Sequence, residues 1–100
     1  MNLKEIAIHC DKAWGQYADK FQIRRYDEFY LLKMQEELGE LSRSFLELRG
    51  SEKKRKSSID ELKKKFAADI AVLVGNALIL ANHFDVDLEA TIKEKFPVEI

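Results

Sequence analysis

The acidic residues of one predicted helix have a spacing that could bind a metal ion. In the stretch MQEELGEL and its flanks, a helical wheel places Lys33, Glu37, Glu40 and Ser44 on one polar stripe beside an apolar one. Glu37 and Glu40 are one turn apart and repel each other unless a cation lies between them. Carboxylate oxygens are the ligands that a hard divalent ion such as Mg²⁺ prefers. The spacing thus indicates a cation site, although a Glu pair beside a Lys is also typical of a solvated helix face.

A third carboxylate stands alone in the apolar segment FAADIAVLVGNALILA, residues 66–81. An ionised carboxylate is costly to bury without a partner, so Asp69 should have one. Two interpretations are open. If the helices that carry Glu37 and Asp69 pack antiparallel, Asp69 can lie level with the Glu37 to Glu40 turn and share its cation. Alternatively, Asp69 pairs with Lys65, four residues earlier.

The elements that must position these residues are all predicted to be helices. Apolar residues recur every three or four positions, Gly and Pro are scarce, and no hairpin turn is evident. Helix 1 is expected over about residues 3–19 with Asn2 as its N-cap. Helix 2 is expected to follow an Asp27 cap, with Leu31, Met34, Leu38, Leu41, Phe45 and Leu48 forming its apolar face, until Gly50 ends it.

The second half of the chain carries its own helix signals. Ser58 and Glu61 have the spacing of a capping box, which predicts a helix 3 that runs to about His83. Asp87 can cap a short helix 4 that Pro97 closes. The predicted fold is therefore all-α: one domain spanning residues 1–100, an antiparallel bundle of two long and two shorter helices. A chain this small gains core by sharing it with a second copy, so oligomerisation is expected.

Composition limits the partners. The 100 residues carry a net charge of −1 with 35% charged residues, which gives no overall field to attract nucleic acid or an anionic membrane. The basic run at residues 53–56 is expected to be an exposed loop. The apolar run after Asp69 is shorter than the roughly 18 to 20 residues that span a bilayer. A lone Cys10 and the lack of an export signal in the N-terminal stretch favour the cytoplasm, with no nucleic-acid or membrane partner.

Two segments resemble a known family. EELGEL at residues 36–41 and AADIAVLVGNALILANHFDVDLEATIKEKF at residues 67–96 resemble the MazG-type all-α nucleotide pyrophosphohydrolases, relatives of the all-α dUTPases and of phosphoribosyl-ATP pyrophosphohydrolase. The resemblance covers about residues 30–96. It implies Mg²⁺-dependent hydrolysis, with Mn²⁺ as an alternative ion, of a nucleoside triphosphate to the monophosphate and pyrophosphate. The site would lie between helices of a homodimer or homotetramer.

The resemblance also implies roles for particular residues. The metal ligands carried over are Glu37, Glu40 and Asp69. Either glutamate could orient the attacking water as the catalytic group, with Glu36 supporting them. The substrate contacts carried over are Lys33, Lys95, Asn82 and Lys93. Trp14 and Tyr17 would lie near the base pocket, although aromatic residues on a short helix are also typical of a core.

One position departs from the family pattern. The family places a Glu three residues before the Asp that corresponds to Asp69, and this chain has Phe66 there. Loss of a ligand weakens metal binding and catalysis. The alternative function is therefore a catalytically impaired homologue that acts as a nucleotide-binding or structural oligomeric helical module.

Overall fold

The structure of the chain, a computed structural model, describes residues 1–50 and 57–99. Its elements are the four helices α1 (Leu3–Phe21), α2 (Asp27–Leu48), α3 (Ile59–His83) and α4 (Leu88–Lys95). The described ranges contain no strand, so the prediction of an all-helical chain is confirmed. The basic run at 53–56, expected to be an exposed loop, lies outside the described residues.

Three of the predicted N-caps form. The side chain of Asn2 accepts a hydrogen bond from the Glu5 backbone N–H at 2.8 Å, and the Glu5 carboxylate accepts from the Asn2 N–H at 3.4 Å, which completes a capping box. The Ser58 hydroxyl accepts from the Glu61 N–H at 3.2 Å. Asp87 caps α4 in the same way. These local signals fix where three helices begin.

The start of α2 differs from the prediction by one residue. Tyr26 is the N-cap and makes no side-chain cap bond, whereas Asp27 is the first helical residue. The Asp27 carboxylate instead lies 3.6 Å from Nδ1 of His83 on α3, and a negative charge in the first turn also suits the helix dipole. At the other end, Gly50 adopts a left-handed φ of 77° just after α2 ends, as predicted.

The helix α3 is the centre of the fold, since it packs along α2 and against α1, which also contacts α4. Aromatic pairs mark two places on the α2–α3 contact. The Tyr30 and His83 rings have centroids 5.4 Å apart, and the Phe45 and Phe66 rings have centroids 5.9 Å apart. Among the residues that the structure describes, the buried apolar core is small and comprises Ala7, Ala18, Tyr30, Leu62, Leu78 and Ile79.

The single chain leaves much apolar surface in solvent. Its accessible area is 8029 Å², whereas a compact protein of this mass exposes about 5,800 Å². The radius of gyration is 16.1 Å, against about 13 Å for a compact 100-residue domain. The segment expected to be core is only partly covered, since Ile70, Val72 and Val74 are 38–48% exposed. By length and composition alone α3 could cross a membrane, a test that core helices of soluble proteins also pass.

Candidate functional site

The apolar face predicted for α2 divides into two stripes. One comprises Met34, Leu41 and Leu48, which are half-buried. The other comprises Leu31, Leu38 and Phe45, whose exposed fractions are 51%, 54% and 42%. We call the second set the exposed apolar stripe. The chain therefore covers one flank of the predicted core face more fully than the other, on which Phe45 still contacts Phe66 of α3.

The acidic residues of α2 lie beside the covered flank. Glu37 and Glu40 are half-buried, while Glu36 is exposed. The Lys33 ammonium lies 3.5 Å from a Glu36 carboxylate oxygen and 5.8 Å from the centre of the Phe29 ring. Within residues 1–50 and 57–99 no ion pair reaches Glu37 or Glu40. The two partly desolvated carboxylates thus lack a cation from the described chain.

Asp69 has a partner on its own helix. Lys65 Nζ lies 3.3 Å from Asp69 Oδ2, and the aspartate side chain is 13% exposed while the lysine side chain is 48% exposed. In the part of the chain that the structure describes, no three His, Cys, Asp or Glu side chains lie together in a way that could hold a metal ion. The carboxylates of Glu37, Glu40 and Asp69 therefore do not form one metal-binding group in the structure. Asp69 is instead paired with Lys65.

Phe66, the residue that departs from the family pattern, packs as part of the helix contact. It is half-buried, and its ring lies against that of Phe45 at an interplanar angle of 38°. Phe66 therefore contributes apolar contact between α2 and α3.

Asn76 is a functional candidate that the sequence analysis missed. Its side chain is fully buried, at 0% exposure, and its Nδ2 donates to the Val72 carbonyl of the preceding turn at 3.0 Å. Its Oδ1 has no hydrogen-bond partner among the described residues. Ser44 on α2, at 1% exposure, is by contrast satisfied through its bond to the Leu41 carbonyl at 3.1 Å. A buried oxygen without a partner costs about 1–3 kcal/mol, so it requires an explanation.

The predicted substrate residues are dispersed. Asn82 lines a cavity of about 330 Å³ that is formed by the start of α1, the end of α3 and the start of α4, with no lining residue from α2. Lys93 is 3.9 Å from Glu89 on α4, and Lys95 is exposed at the end of that helix. Lys33 alone among these residues lies on the acidic helix.

A second polar cluster links three helices. Arg25 Nη1 donates to Asp11 Oδ1 at 2.6 Å and to the buried Tyr30 hydroxyl at 2.9 Å. His83 Nε2 lies 3.2 Å from Asp11 Oδ2, and its Nδ1 faces Asp27. We call these five residues the polar clasp. No local sequence signal could have revealed the contact between Asp11 and His83, which are 72 residues apart.

Burial and hydrogen bonding perturb two groups of the clasp. Burial raises the pKa of Tyr30, although the hydrogen bond and charge of Arg25 act in the opposite direction. Burial alone would lower the pKa of Arg25, but its hydrogen bonds to Asp11 and Tyr30 outweigh this and raise it. Gly15 on α1 leaves room for the guanidinium, since a Cβ there would lie 3.0 Å from Arg25 Nη2.

Trp14 and Tyr17, expected near a base pocket, belong to an aromatic group beside the clasp. The Trp14 ring lies edge-on to Tyr17 at 5.3 Å and to Phe29 at 5.6 Å. Trp14 is half-buried and Tyr17 is half-exposed. The contact between Trp14 and Phe29 joins α1 to the first turn of α2.

Comparison with protein-family models, with curated proteins and with solved structures gave no match to this chain. The resemblance to the MazG-type pyrophosphohydrolases therefore stays a prediction.

Proposed function

We propose that this chain is a Mg²⁺-dependent nucleoside triphosphate pyrophosphohydrolase that releases a nucleoside monophosphate and pyrophosphate. The observation that carries the proposal is the pair Glu37 and Glu40, half-buried one turn apart on α2 with no ion-pair partner among the described residues. Two such carboxylates repel each other, and a divalent cation relieves the repulsion. Their all-oxygen donor set fits Mg²⁺ or Mn²⁺.

In the proposed mechanism the metal, when bound, neutralises the triphosphate and lowers the pKa of a bound water. Glu37 and Glu40 would hold such an ion, and one of them would orient a water for attack at the α-phosphorus and take up its proton. The bond from the α-phosphorus to the oxygen that bridges it to the β-phosphorus breaks, and pyrophosphate leaves. Lys33 reaches a phosphate once it leaves Glu36, an exchange that costs little because exposed ion pairs are weak. Asp69 joins the ligands only if its pair with Lys65 opens. Lys95 and Asn82 are further proposed substrate contacts.

The enzyme test is product detection after incubation with a panel of ribo- and deoxyribonucleoside triphosphates and Mg²⁺ or Mn²⁺. We expect monophosphate and pyrophosphate from the parent chain and at least a tenfold lower rate from Glu37→Gln. Glu47→Gln is the matched control, because Glu47 is another half-buried glutamate of α2. A rate unchanged by Glu37→Gln, or no product from the parent, would overturn the proposal.

We further propose that α2 and α3 run antiparallel and that a second copy of the chain covers the exposed apolar stripe, in a homodimer or homotetramer. The two ring contacts support the direction, since Tyr30 near the start of α2 touches the end of α3 and Phe45 near its end touches the start of α3. The many large apolar side chains left exposed, the exposed apolar stripe among them, support the assembly, because contiguous apolar side chains in solvent mark interaction surfaces.

Assembly can be tested on two leucines of equal exposure. Leu38 lies in the exposed apolar stripe and Leu32 lies elsewhere on α2, and each is 54% exposed. We expect Leu38→Asp to yield monomers in analytical ultracentrifugation and Leu32→Asp to assemble as the parent does. Equal masses for all three proteins would remove the stripe from the interface.

A non-catalytic oligomeric helical module is the second candidate. The pair between Lys65 and Asp69 and the packing of Phe66 on Phe45 favour it, because neither leaves a carboxylate free on α3. This function predicts that Mg²⁺ leaves the melting temperature unchanged, whereas a ligand that binds the folded state raises it. For both candidates we propose a cytoplasmic protein without a nucleic-acid or membrane partner.

A further inference from the structure

In the buried side chain of Asn76, Nδ2 makes a hydrogen bond and Oδ1 has no partner among the described residues. Its Nδ2 is held by the Val72 carbonyl of its own helix, so the amide oxygen is the end that lacks a partner. The side chain has no exposure to bulk water that could satisfy that oxygen. A native chain retains such a group when something absent from the isolated fold completes it.

Register along the α2–α3 contact indicates what faces Asn76. Residues seven apart lie on one side of a helix. On α3 this set is Asp69, Asn76 and His83, and on α2 it is Tyr30, Glu37 and Ser44. The ring contact between Tyr30 and His83 aligns one end of the two sets. In the antiparallel pairing, one step of seven residues along each helix, about 10.5 Å, brings Glu37 level with Asn76.

A carboxylate cannot satisfy an amide oxygen, because both groups are acceptors only. Opposed across the helix contact, the half-buried carboxylate and the buried amide oxygen repel each other, and the amide oxygen stays unpaired. A hard divalent cation resolves both problems, since carboxylate and amide oxygens are ligands that such ions accept. We therefore propose, resting on the proposed function, that Asn76 supplies an oxygen ligand to the divalent cation held by Glu37.

The same register accounts for Asp69. One further step of seven residues sets Asp69 level with Ser44, about 10.5 Å along the contact from the Glu37 level. Asp69 there is neutralised by Lys65. The ligand from α3 is then the amide of Asn76, seven residues closer to His83 than Asp69, which the resembled family pattern suggests as the ligand.

Binding of Mn²⁺ tests the proposal independently of turnover. Mn²⁺ is titrated into the full chain, followed by calorimetry and by the electron paramagnetic resonance of the free ion, and melting temperatures are recorded with and without metal. We expect Asn76→Leu, which removes the oxygen and keeps the branched shape of the side chain, to weaken Mn²⁺ binding at least tenfold. Because leucine is larger than asparagine and the position is fully buried, crowding is expected to lower the melting temperature of the metal-free protein, and the readout is the Mn²⁺ affinity of the folded variant. Ser44→Ala, at the other buried polar residue, should bind Mn²⁺ as the parent does.

A second variant keeps the test decisive if Asn76→Leu fails to fold. Asn76→Asp replaces the amide with a charged oxygen ligand, so Mn²⁺ should bind more tightly and raise its melting temperature more than that of the parent. The role of Asn76 would be overturned if both variants bind Mn²⁺ with the affinity of the parent. If the leucine variant is unfolded, parent-like Mn²⁺ affinity in Asn76→Asp alone would overturn it. If Glu37→Gln still abolishes binding in that case, the metal site of the proposed function survives. A parent chain that binds no Mn²⁺ would remove both.

Discussion

The polar clasp and the acidic face of α2 are both built from charged side chains at helix contacts, but only the clasp is complete. In the clasp, Arg25 binds both Asp11 and the Tyr30 hydroxyl, and His83 contacts Asp11 from the far end of the chain. On the acidic face, Glu37 and Glu40 lack a cation among the described residues, and on α3 the buried Oδ1 of Asn76 lacks a donor there. A network that the chain satisfies alone contributes to stability, whereas one that it leaves unsatisfied indicates where a ligand binds.

The largest expected effect comes from removing the buried ring of the clasp. Tyr30 has no exposed area and contacts both Phe29 and His83. Tyr30→Ala should lower the free energy of unfolding by about 3–5 kcal/mol, since it deletes a large core side chain. Denaturant titration at fixed protein concentration measures this. Tyr26→Ala, at a 45% exposed tyrosine, should cost under about 1 kcal/mol. Similar losses in the two variants would contradict a structural role for the clasp.

Removing the cation of the clasp should have a smaller effect. Arg25→Ala removes the guanidinium that donates to Asp11 Oδ1 and to the buried Tyr30 hydroxyl, which should cost about 1.5–3 kcal/mol of unfolding free energy. Arg24→Ala, at the exposed neighbour, is the control and should be near neutral. A double-mutant cycle with Asp11→Asn should give a coupling energy of at least about 0.5 kcal/mol. Simple additivity would mean that the short contact between Arg25 and Asp11 carries no net stabilisation.

The clasp should also weaken at alkaline pH. Burial raises the pKa of Tyr30 above its usual value, so the folded state holds the phenol proton more tightly than the unfolded chain does. The associated stability is fully present below the unfolded pKa of about 10 and is lost as the pH rises towards the folded pKa. Unfolding free energies measured from pH 8 upward should fall in this window. Tyr30→Phe should flatten that part of the profile, and an equally steep decline in the variant would assign it to other groups.

Local chemistry in the sequence predicted where the helices begin, but not how their faces are covered. Asn2, Ser58 and Asp87 were identifiable as caps because short polar side chains are preferred at helix starts. In the structure each accepts a hydrogen bond from the backbone amide three residues later. Both apolar stripes of α2 consist of large apolar residues spaced seven positions apart. Periodicity therefore could not predict which stripe the chain would leave exposed. That choice depends on tertiary packing, which no short-range pattern encodes.

The candidate site was predictable to the same extent. Glu37 and Glu40 follow from spacing within one helix, and the structure leaves both half-buried. The expectation that Asp69 completes their set depended on the register of two helices, where a shift of seven residues moves a side chain by about 10.5 Å. Asn76 carried a visible signal, an amide seven residues after Asp69 in an apolar run, but only burial and the missing partner of its oxygen make it a candidate.

The smallest expected effect concerns the ion pair that separates the two interpretations of Asp69. Lys65→Met should lower the unfolding free energy of the metal-free protein by no more than about 1 kcal/mol, because the lysine is half-exposed and the pair lies along one helix. Lys64→Met, at the exposed neighbour, is the control. If Asp69 lies level with Ser44, freeing its carboxylate should leave the Mn²⁺ affinity of the chain unchanged. A several-fold tighter Mn²⁺ affinity in Lys65→Met alone would instead mean that Asp69 reaches the ion held by Glu37. Lys65 would then compete with the metal for Asp69, and the α2–α3 register would differ from the one proposed.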